Sequence, residues 1–372
     1  MDLDLTSEQE LLRESVRRIC ARHAGLDVVR KMENDPIGYP PQLWAQLADS
    51  GLIGLTLPDR WGGSAMTLLE AALVYGEFGR SLAPSPHFVS SVLCGGVLAR
   101  GGTDEQRERF LPGIADGSAV WSVAWLEPAG GFGPRGIGLR AEAEGDGWRL
   151  DGVKRHVAYA TAADRLLVLA ETADGITLFV VDPSSPGVSL TQQLSVASDT
   201  QYRVEFAAAT VPADAVVGAP GAGWAIWEEV APAAMILLAA QAVGGARRSL
   251  ELAVDYAATR RQFDKPLGAF QAIAHYLADA TTAVDGAETL VWEAAWAASA
   301  GRSTARLAPM AKLFACQTFR DVTAMAQQIF GGVGFALEFD VQLFFRRAKA
   351  LQVAWWDGRY LEELIAAEVL DA

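Results

Sequence analysis

The segment Gln328-Ile329-Phe330-Gly331-Gly332-Val333-Gly334-Phe335 sets three glycines between two apolar helical runs. Such a density implies backbone approached closely by something other than solvent. It lies behind an Arg260-Arg261-Gln262-Phe263 cluster. Taken alone, Arg260 also suits a solvated helix end, where the dipole favours a cation, and Gly331-Gly332 suits a helix C-cap, which does not exclude a ligand. Cys20, Cys94 and Cys316 are scattered, odd in number and without metal-ligand spacing. They read as small buried thiols, with neither a disulfide framework nor a metal site expected. The chemistry on offer is that of a binding surface.

Three stretches of different periodicity must position these residues. From Ser7 to about Gly117 the pattern is helical: Leu12, Val16, Ile19 and His23 recur at three- and four-residue intervals among Glu8, Arg13, Glu14, Arg17 and Arg18, as on an amphipathic helix packed on a core. Thr6 and Ser7, followed by Glu8 and Glu10, read as a capping-box start, and prolines and glycines from Pro36 to Pro86 separate later helices. Between about Val120 and Val217 the sequence changes. Alternation in Trp148-Arg149-Leu150-Asp151 and apolar runs at Leu166 to Ala170, Thr177 to Val181 and Val204 to Phe206 predict short antiparallel strands. After Gly221-Ala222-Gly223, Ala- and Leu-rich stretches over Ala231 to Arg260, Ala269 to Ala300 and Thr304 to Phe330 predict an antiparallel bundle.

With 372 residues, 51% of them hydrophobic, the chain can bury sizeable cores. Its 31 basic against 45 acidic side chains, net −14, make nucleic acid an unfavourable partner. Met1-Asp2-Leu3-Asp4-Leu5 carries acids where a signal peptide has bases. No uninterrupted apolar run approaches the roughly 18 residues of a membrane span, so a cytoplasmic protein without a span is expected.

Helices, a small β domain and a helical bundle, in that order, resemble the acyl-CoA dehydrogenase family. Four motifs carry the resemblance: Leu126-Glu127-Pro128-Ala129-Gly130-Gly131, Trp148 to Lys154 followed by Ala163-Asp164, Tyr256 through Gln271, and Gln328 to Phe335. The resemblance implies an α+β fold with an N-terminal helical domain (1–117), a central small antiparallel β domain (118–220) and a C-terminal four-helix bundle (221–372). It also implies FAD. In the family's scheme Arg260 reaches the FAD pyrophosphate across a subunit interface, where a guanidinium fork pairs two phosphate oxygens. Phe263 packs near the adenine, Gln271, Gln328 and Gly332 line the same interface, and Gly331 and Gly332 let backbone amides approach. Gly131, His156 and Ala158 stand at the flavin-ring positions. There the chain departs from the pattern, with Leu126, Phe132 and Ala158 where hydroxyl side chains are usual and His156 in place of a tryptophan.

The family's chemistry is α-proton abstraction from an acyl-CoA thioester by a carboxylate, with the β-hydride passing to flavin N5. An ungapped count puts Trp355 at the usual place of that base. A two-residue shift would make Asp357 the base, followed by Gly358 as the family's glutamate is followed by glycine. The alternative position falls on Ala234 and Met235, while Glu228 and Glu229 lie too early and read as a solvated face. Two expectations follow: an acyl-CoA dehydrogenase of fatty acid or lipid metabolism, homo-oligomeric, with Asp357 as base and an electron-transferring flavoprotein as acceptor; or a catalytically incomplete partner in a heterotetramer with a homologous subunit. The second resembles the small subunits of actinobacterial acyl-CoA dehydrogenases that act on CoA esters of steroid side chains. A flavin oxidase or monooxygenase on the same fold is a third.

Overall fold

The protein, described as a computed structural model, is defined over residues 4–370. Met1, Asp2 and Leu3, which carry part of the expectation about the N-terminus, lie outside that range. In chain order the first helices are α1 (Ser7–His23), α2 (Leu26–Lys31), α3 (Pro41–Asp49), α4 (Leu68–Ser81), α5 (Gly96–Gly101) and α6 (Asp104–Ala115). Eight strands follow: β1 (Trp121–Ala124), β2 (Arg140–Glu144), β3 (Gly147–Ala158), β4 (Arg165–Thr172), β5 (Gly175–Val181), β6 (Val188–Gln193), β7 (Gln201–Pro212) and β8 (Val216–Val217). Next come α7 (Gly223–Thr259), a hairpin of β9 (Arg261–Gln262) and β10 (Lys265–Pro266), α8 (Gln271–Ser299), α9 (Leu307–Phe330), α10 (Val341–Val353) and α11 (Gly358–Leu370). The expected order of helices, sheet and helices is the order found.

Compactness does not follow chain order. One unit gathers residues up to Val29, Thr67–Ala83 and Met235 onward; the other gathers Arg30–Met66 and Pro84–Ala234. In the first, α1 packs on α4, α4 on α8, and α8, α10 and α11 on α9. Helix α1 starts with a closed capping box: Thr6 Oγ1 accepts from the Gln9 amide and Gln9 Oε1 from the Thr6 amide. The box closes on Gln9, with Glu8 and Glu10 left to favour the first turn. Helices α4 and α7 approach backbone to backbone. A Cβ on Gly244 would stand 1.8 Å from the Gly76 carbonyl oxygen, so only glycine permits the contact.

In the second unit the sheet runs β6-β7-β3-β2-β4-β5-β8, with β1 on β4. Leu150, Val157, Leu166, Val168, Phe179, Val204 and Phe206 form its buried core, which is the alternation read from the sequence. The expectation of a purely antiparallel sheet needs correction. β1 runs parallel to β4 in the register Trp121↔Arg165 to Ala124↔Val168, and β2 meets β4 in parallel at Arg140. The physical reason is connection length: β2 and β3 lie between β1 and β4 in the chain, which leaves room for the crossover a parallel pair needs.

Helix α7 also amends the membrane expectation. By length and composition it could cross a bilayer, with a window of mean hydropathy 1.4, yet 72% of that window is buried in the fold. It is the apolar core helix of this architecture.

Candidate functional site

The glycine-rich segment and the arginine cluster are held together by one apolar cluster in the first unit. Ala253 and Ala257 of α7, Ala326 and Ile329 of α9, and Val341 of α10 are buried against one another. Tyr256 stacks on Phe330, with ring centroids 4.2 Å apart and planes at 15°. Arg260 therefore leaves α7 beside the end of α9. Its amide donates to the Tyr256 carbonyl at 2.8 Å and its carbonyl accepts from Leu267 at 2.9 Å, so its backbone is fixed on both sides. Its side chain is exposed, with no ion-pair or hydrogen-bond partner among the described residues.

The β9–β10 hairpin that follows turns through Phe263 and Asp264, both at positive φ (51° and 63°). A two-residue turn matched to strand twist requires this conformation at both positions; Asp tolerates it well and Phe poorly. The outcome is a phenyl ring 87% exposed, edge-on to Phe270 at 6.2 Å. Gln271 opens α8, and Gln328 is exposed on α9. Gly331 ends α9 at φ 66°, and a Cβ on Gly331 or Gly332 would meet nothing within 4 Å. The adjoining ends of α7 and α9 thus carry an exposed, unpaired guanidinium and an open strip of backbone, a combination that fits an oxyanion ligand such as a pyrophosphate. Phe335 and Leu337, 66% and 70% exposed, extend the face with apolar surface of the kind that a partner covers.

The second candidate region lies in the other unit. Lys154, fully buried, donates to the Trp125 carbonyl at 3.0 Å and to Glu127 Oε1 at 2.7 Å. Glu127 also accepts from the amides of Gly138 and Leu139 at 3.0 and 2.9 Å. One buried ion pair therefore clamps both ends of the loop from Leu126 to Gly138. Desolvation outweighs the attraction of Glu127 and lowers the Lys154 pKa to about 8. Within the loop Gly131 is open, with nothing within 4 Å of a Cβ there. Phe132 packs edge-on against Trp125 at 5.8 Å, and Trp125 against Trp227 at 4.9 Å.

His156 occupies a bulge of β3 at φ 56°. It is exposed, because the bulge re-aims the side chain outward. Its amide donates to Gln193 Oε1 at 3.1 Å, and Nδ1 lies 2.9 Å from Gln201 Oε1. Ala158 stays in the ladder opposite Gln201, and its carbonyl accepts from Ser122 Oγ. No hydroxyl side chain stands at 126, 132 or 158. This region offers a flavin ring a histidine and backbone, with no side-chain hydroxyl donor at those positions.

The candidate base has a structural occupation. Asp357 Oδ1 accepts from the Tyr360 amide at 2.9 Å, capping α11. The turn before it is held by Lys312, a buried ammonium donating to the carbonyls of Ala354 (3.1 Å) and Trp356 (2.8 Å). Burial holds the Lys312 pKa below the ordinary lysine value, with Cys316 and Asp357 opposing. Trp355 and Trp356 both lie at positive φ, 52° and 74°, whereas Gly358 does not. Glycine is the residue preferred in that conformation, so the backbone calls for glycine at 356, directly after Trp355. The ungapped register accounts for the positive φ at 356, though not for that at 355; the shifted one accounts for neither. At the alternative base position Ala234 and Met235 are buried and apolar. Glu228 and Glu229 are exposed, Glu229 lying 3.5 Å from Arg100.

The structural roles of Lys312, and of Glu127 with Lys154, were beyond reach of sequence reasoning. A single lysine in the Ala-rich run of α9 gives no signal, because its partners are carbonyls forty residues away.

Three family models match in succession: acyl-CoA dehydrogenase N-terminal domain over residues 6–118, middle domain over 122–208 and C-terminal domain over 221–368. Acyl-CoA dehydrogenase FadE12 of Mycobacterium tuberculosis is 32% identical over 363 residues, covering 94% of this chain and 92% of its own. Among solved structures, the ChsE4-ChsE5 complex from Mycobacterium tuberculosis superposes with a TM-score of 0.91 at 28% identity over the whole of both chains. The Tcur3481-Tcur3483 steroid ACAD gives 0.86 at 31% identity, covering 97% and 98%.

Proposed function

The chain belongs to the acyl-CoA dehydrogenase family, and from that premise we propose that it serves the FAD-dependent α,β-dehydrogenation of an acyl-CoA thioester as the partner subunit that completes a homologous subunit's cofactor site. The observation that carries this reading is the turn at Trp355-Trp356: its left-handed backbone favours the ungapped register, in which tryptophan stands where the base belongs. Asp357 is already engaged as a helix cap.

Bound FAD supplies the hydride acceptor. This chain's contribution is to bind and orient it. Arg260 pairs with pyrophosphate oxygens, the backbone at Gly332 and the side chain of Gln328 line the same approach, and Phe263 and Gln271 border the adenine. Gly131, His156 and Ala158 are the residues available on the ring side, and they supply shape and backbone more than donors. The proton-abstracting carboxylate comes from the partner, and an electron-transferring flavoprotein takes the electrons onward. The two similar assemblies, one of them a steroid ACAD, support a heteromer and make CoA esters of steroid side chains the first substrates to try. A homomer with Asp357 as base is the second reading, favoured by a half-buried carboxylate beside the Lys312-held turn.

A visible spectrum of the purified chain tests the proposal. The chain alone should lack flavin absorbance and gain it on coexpression with a homologous subunit; bound FAD in the lone chain, bleached by an acyl-CoA, would overturn the partner reading. Asp357→Asn separates the two: turnover of the assembly persists under the first reading and vanishes under the second.

A further inference from the structure

Away from both regions, α1, α4, α7 and α8 line a half-open cavity of about 410 Å³ within the first unit. Small residues make the room. Ala72 and Gly76 of α4 and Ala240 and Gly244 of α7 line it, and a Cβ on Gly76 would meet nothing within 4 Å. Val243, Val291 and Trp292 give it apolar walls. That volume falls at the small end of ligand pockets, which range over roughly 300–1,000 Å³.

Four arginines line the same space: Arg13, Arg17, Arg80 and Arg247. Three are spoken for. Arg17 forks onto Glu77 at 2.7 and 3.0 Å, and Arg80 onto Glu251 at 2.6 Å, a carboxylate also taken by Arg248 at 2.9 Å. Arg247 reaches Asp285 at 2.8 Å and Glu288 at 2.6 Å. Five guanidiniums thus meet four carboxylates, and Arg13 is left over, its Nε buried without a hydrogen-bond partner. A buried donor with nothing to donate to costs about 1–3 kcal/mol. An incoming acceptor would recover that cost.

We infer that this cavity is a binding site for a small organic monoanion, a carboxylate with an aromatic or short aliphatic body, seated with its oxygens on Arg13 and its body against Trp292 and Val291. One surplus guanidinium matches one planar carboxylate in fork geometry. A phosphate dianion brings a second charge close to Glu77, Asp285 and Glu288, where repulsion opposes it. The same repulsion argues against the phosphate-bearing moiety of a CoA thioester, so the site selects a free acid.

Isothermal titration of the full chain with benzoate, benzamide and inorganic phosphate tests this. Benzoate should bind, while benzamide and phosphate should bind at least about tenfold more weakly, a difference of about 1.4 kcal/mol. Arg13→Ala should weaken benzoate about tenfold or more. Since Arg13 has no partner to lose and its Nε is buried unpaired, the variant should melt no lower than the wild type. Gly76→Leu, which fills the cavity from an open position, should abolish benzoate binding with the helical circular dichroism intact. Equal benzoate affinity in wild type and Arg13→Ala, tighter binding of phosphate, undiminished binding in folded Gly76→Leu, or no benzoate binding at all would each overturn the inference.

Discussion

In the proposed function the face around Arg260 and the loop clamped by Glu127 and Lys154 both serve a flavin dinucleotide, and they are equipped for it to different standards. The first keeps a guanidinium without partners, an open glycine backbone and a rigid Tyr256–Phe330 stack beneath them. The second keeps its scaffold, a fully buried lysine bonded to carboxylate and carbonyl, yet lacks hydroxyls at 126, 132 and 158. Scaffold and ligand contacts are therefore separable. A chain can retain the architecture that shapes a ring-binding loop after the donors aimed at the ring have gone, since the first is required for folding and the second only for chemistry.

The largest expected effect breaks the scaffold. Lys154→Met leaves Glu127 buried without its cation and should cost about 3–5 kcal/mol in denaturant unfolding; the double variant with Glu127→Gln should recover much of it. The pH dependence has a definite sign. Because the Lys154 pKa falls to about 8 in the fold against an ordinary 10.5, the unfolded chain binds a proton that the folded one releases in that window. Its contribution to stability is thus greatest above pH 10.5 and is lost as pH falls through 8. Lys154→Met should erase that slope.

Next in size is Arg260→Ala. Loss of charge-assisted hydrogen bonds to a pyrophosphate should weaken FAD retention by the assembly about 10- to 100-fold, about 1.5–3 kcal/mol, as read by flavin release. Stability of the chain itself should stay within about 0.5 kcal/mol, as for an exposed residue outside any network. If Arg260→Ala instead destabilises the fold while FAD stays bound, the contrast between the two regions collapses. Asp357→Ala should cost about 1 kcal/mol, the value of a helix N-cap. The smallest effect has the opposite sign. Gln327 is buried with neither amide atom paired, so Gln327→Met should raise the unfolding free energy by somewhat less than about 1 kcal/mol, read as a slightly higher melting temperature.

Local pattern made much of this fold legible. The strands at Leu166–Ala170 and Thr177–Val181, the helices and the Thr6 cap each depend on residues a few positions apart. What stayed hidden depends on distant pairs. The parallel seating of β1 on β4, the lysine of α9 that holds a turn after α10, and the grouping of α1 and α4 with the C-terminal helices leave no periodic trace. At the candidate site the motif order pointed to Arg260, Gln328 and Gly332. The sequence leaves two registers for the base, with the apolar spacing of Tyr360, Leu364 and Ile365 on the side of the ungapped one, and Arg13 looks like one more charge on an amphipathic helix.

The Lys312 ammonium grips the turn before α11 through main-chain oxygens alone. Such a mount is indifferent to the side chain it carries. Residue 355 can then change identity by a codon without rebuilding the support beneath it, so that, under the proposed function, catalytic and non-catalytic siblings could diverge from a common ancestor on one shared scaffold.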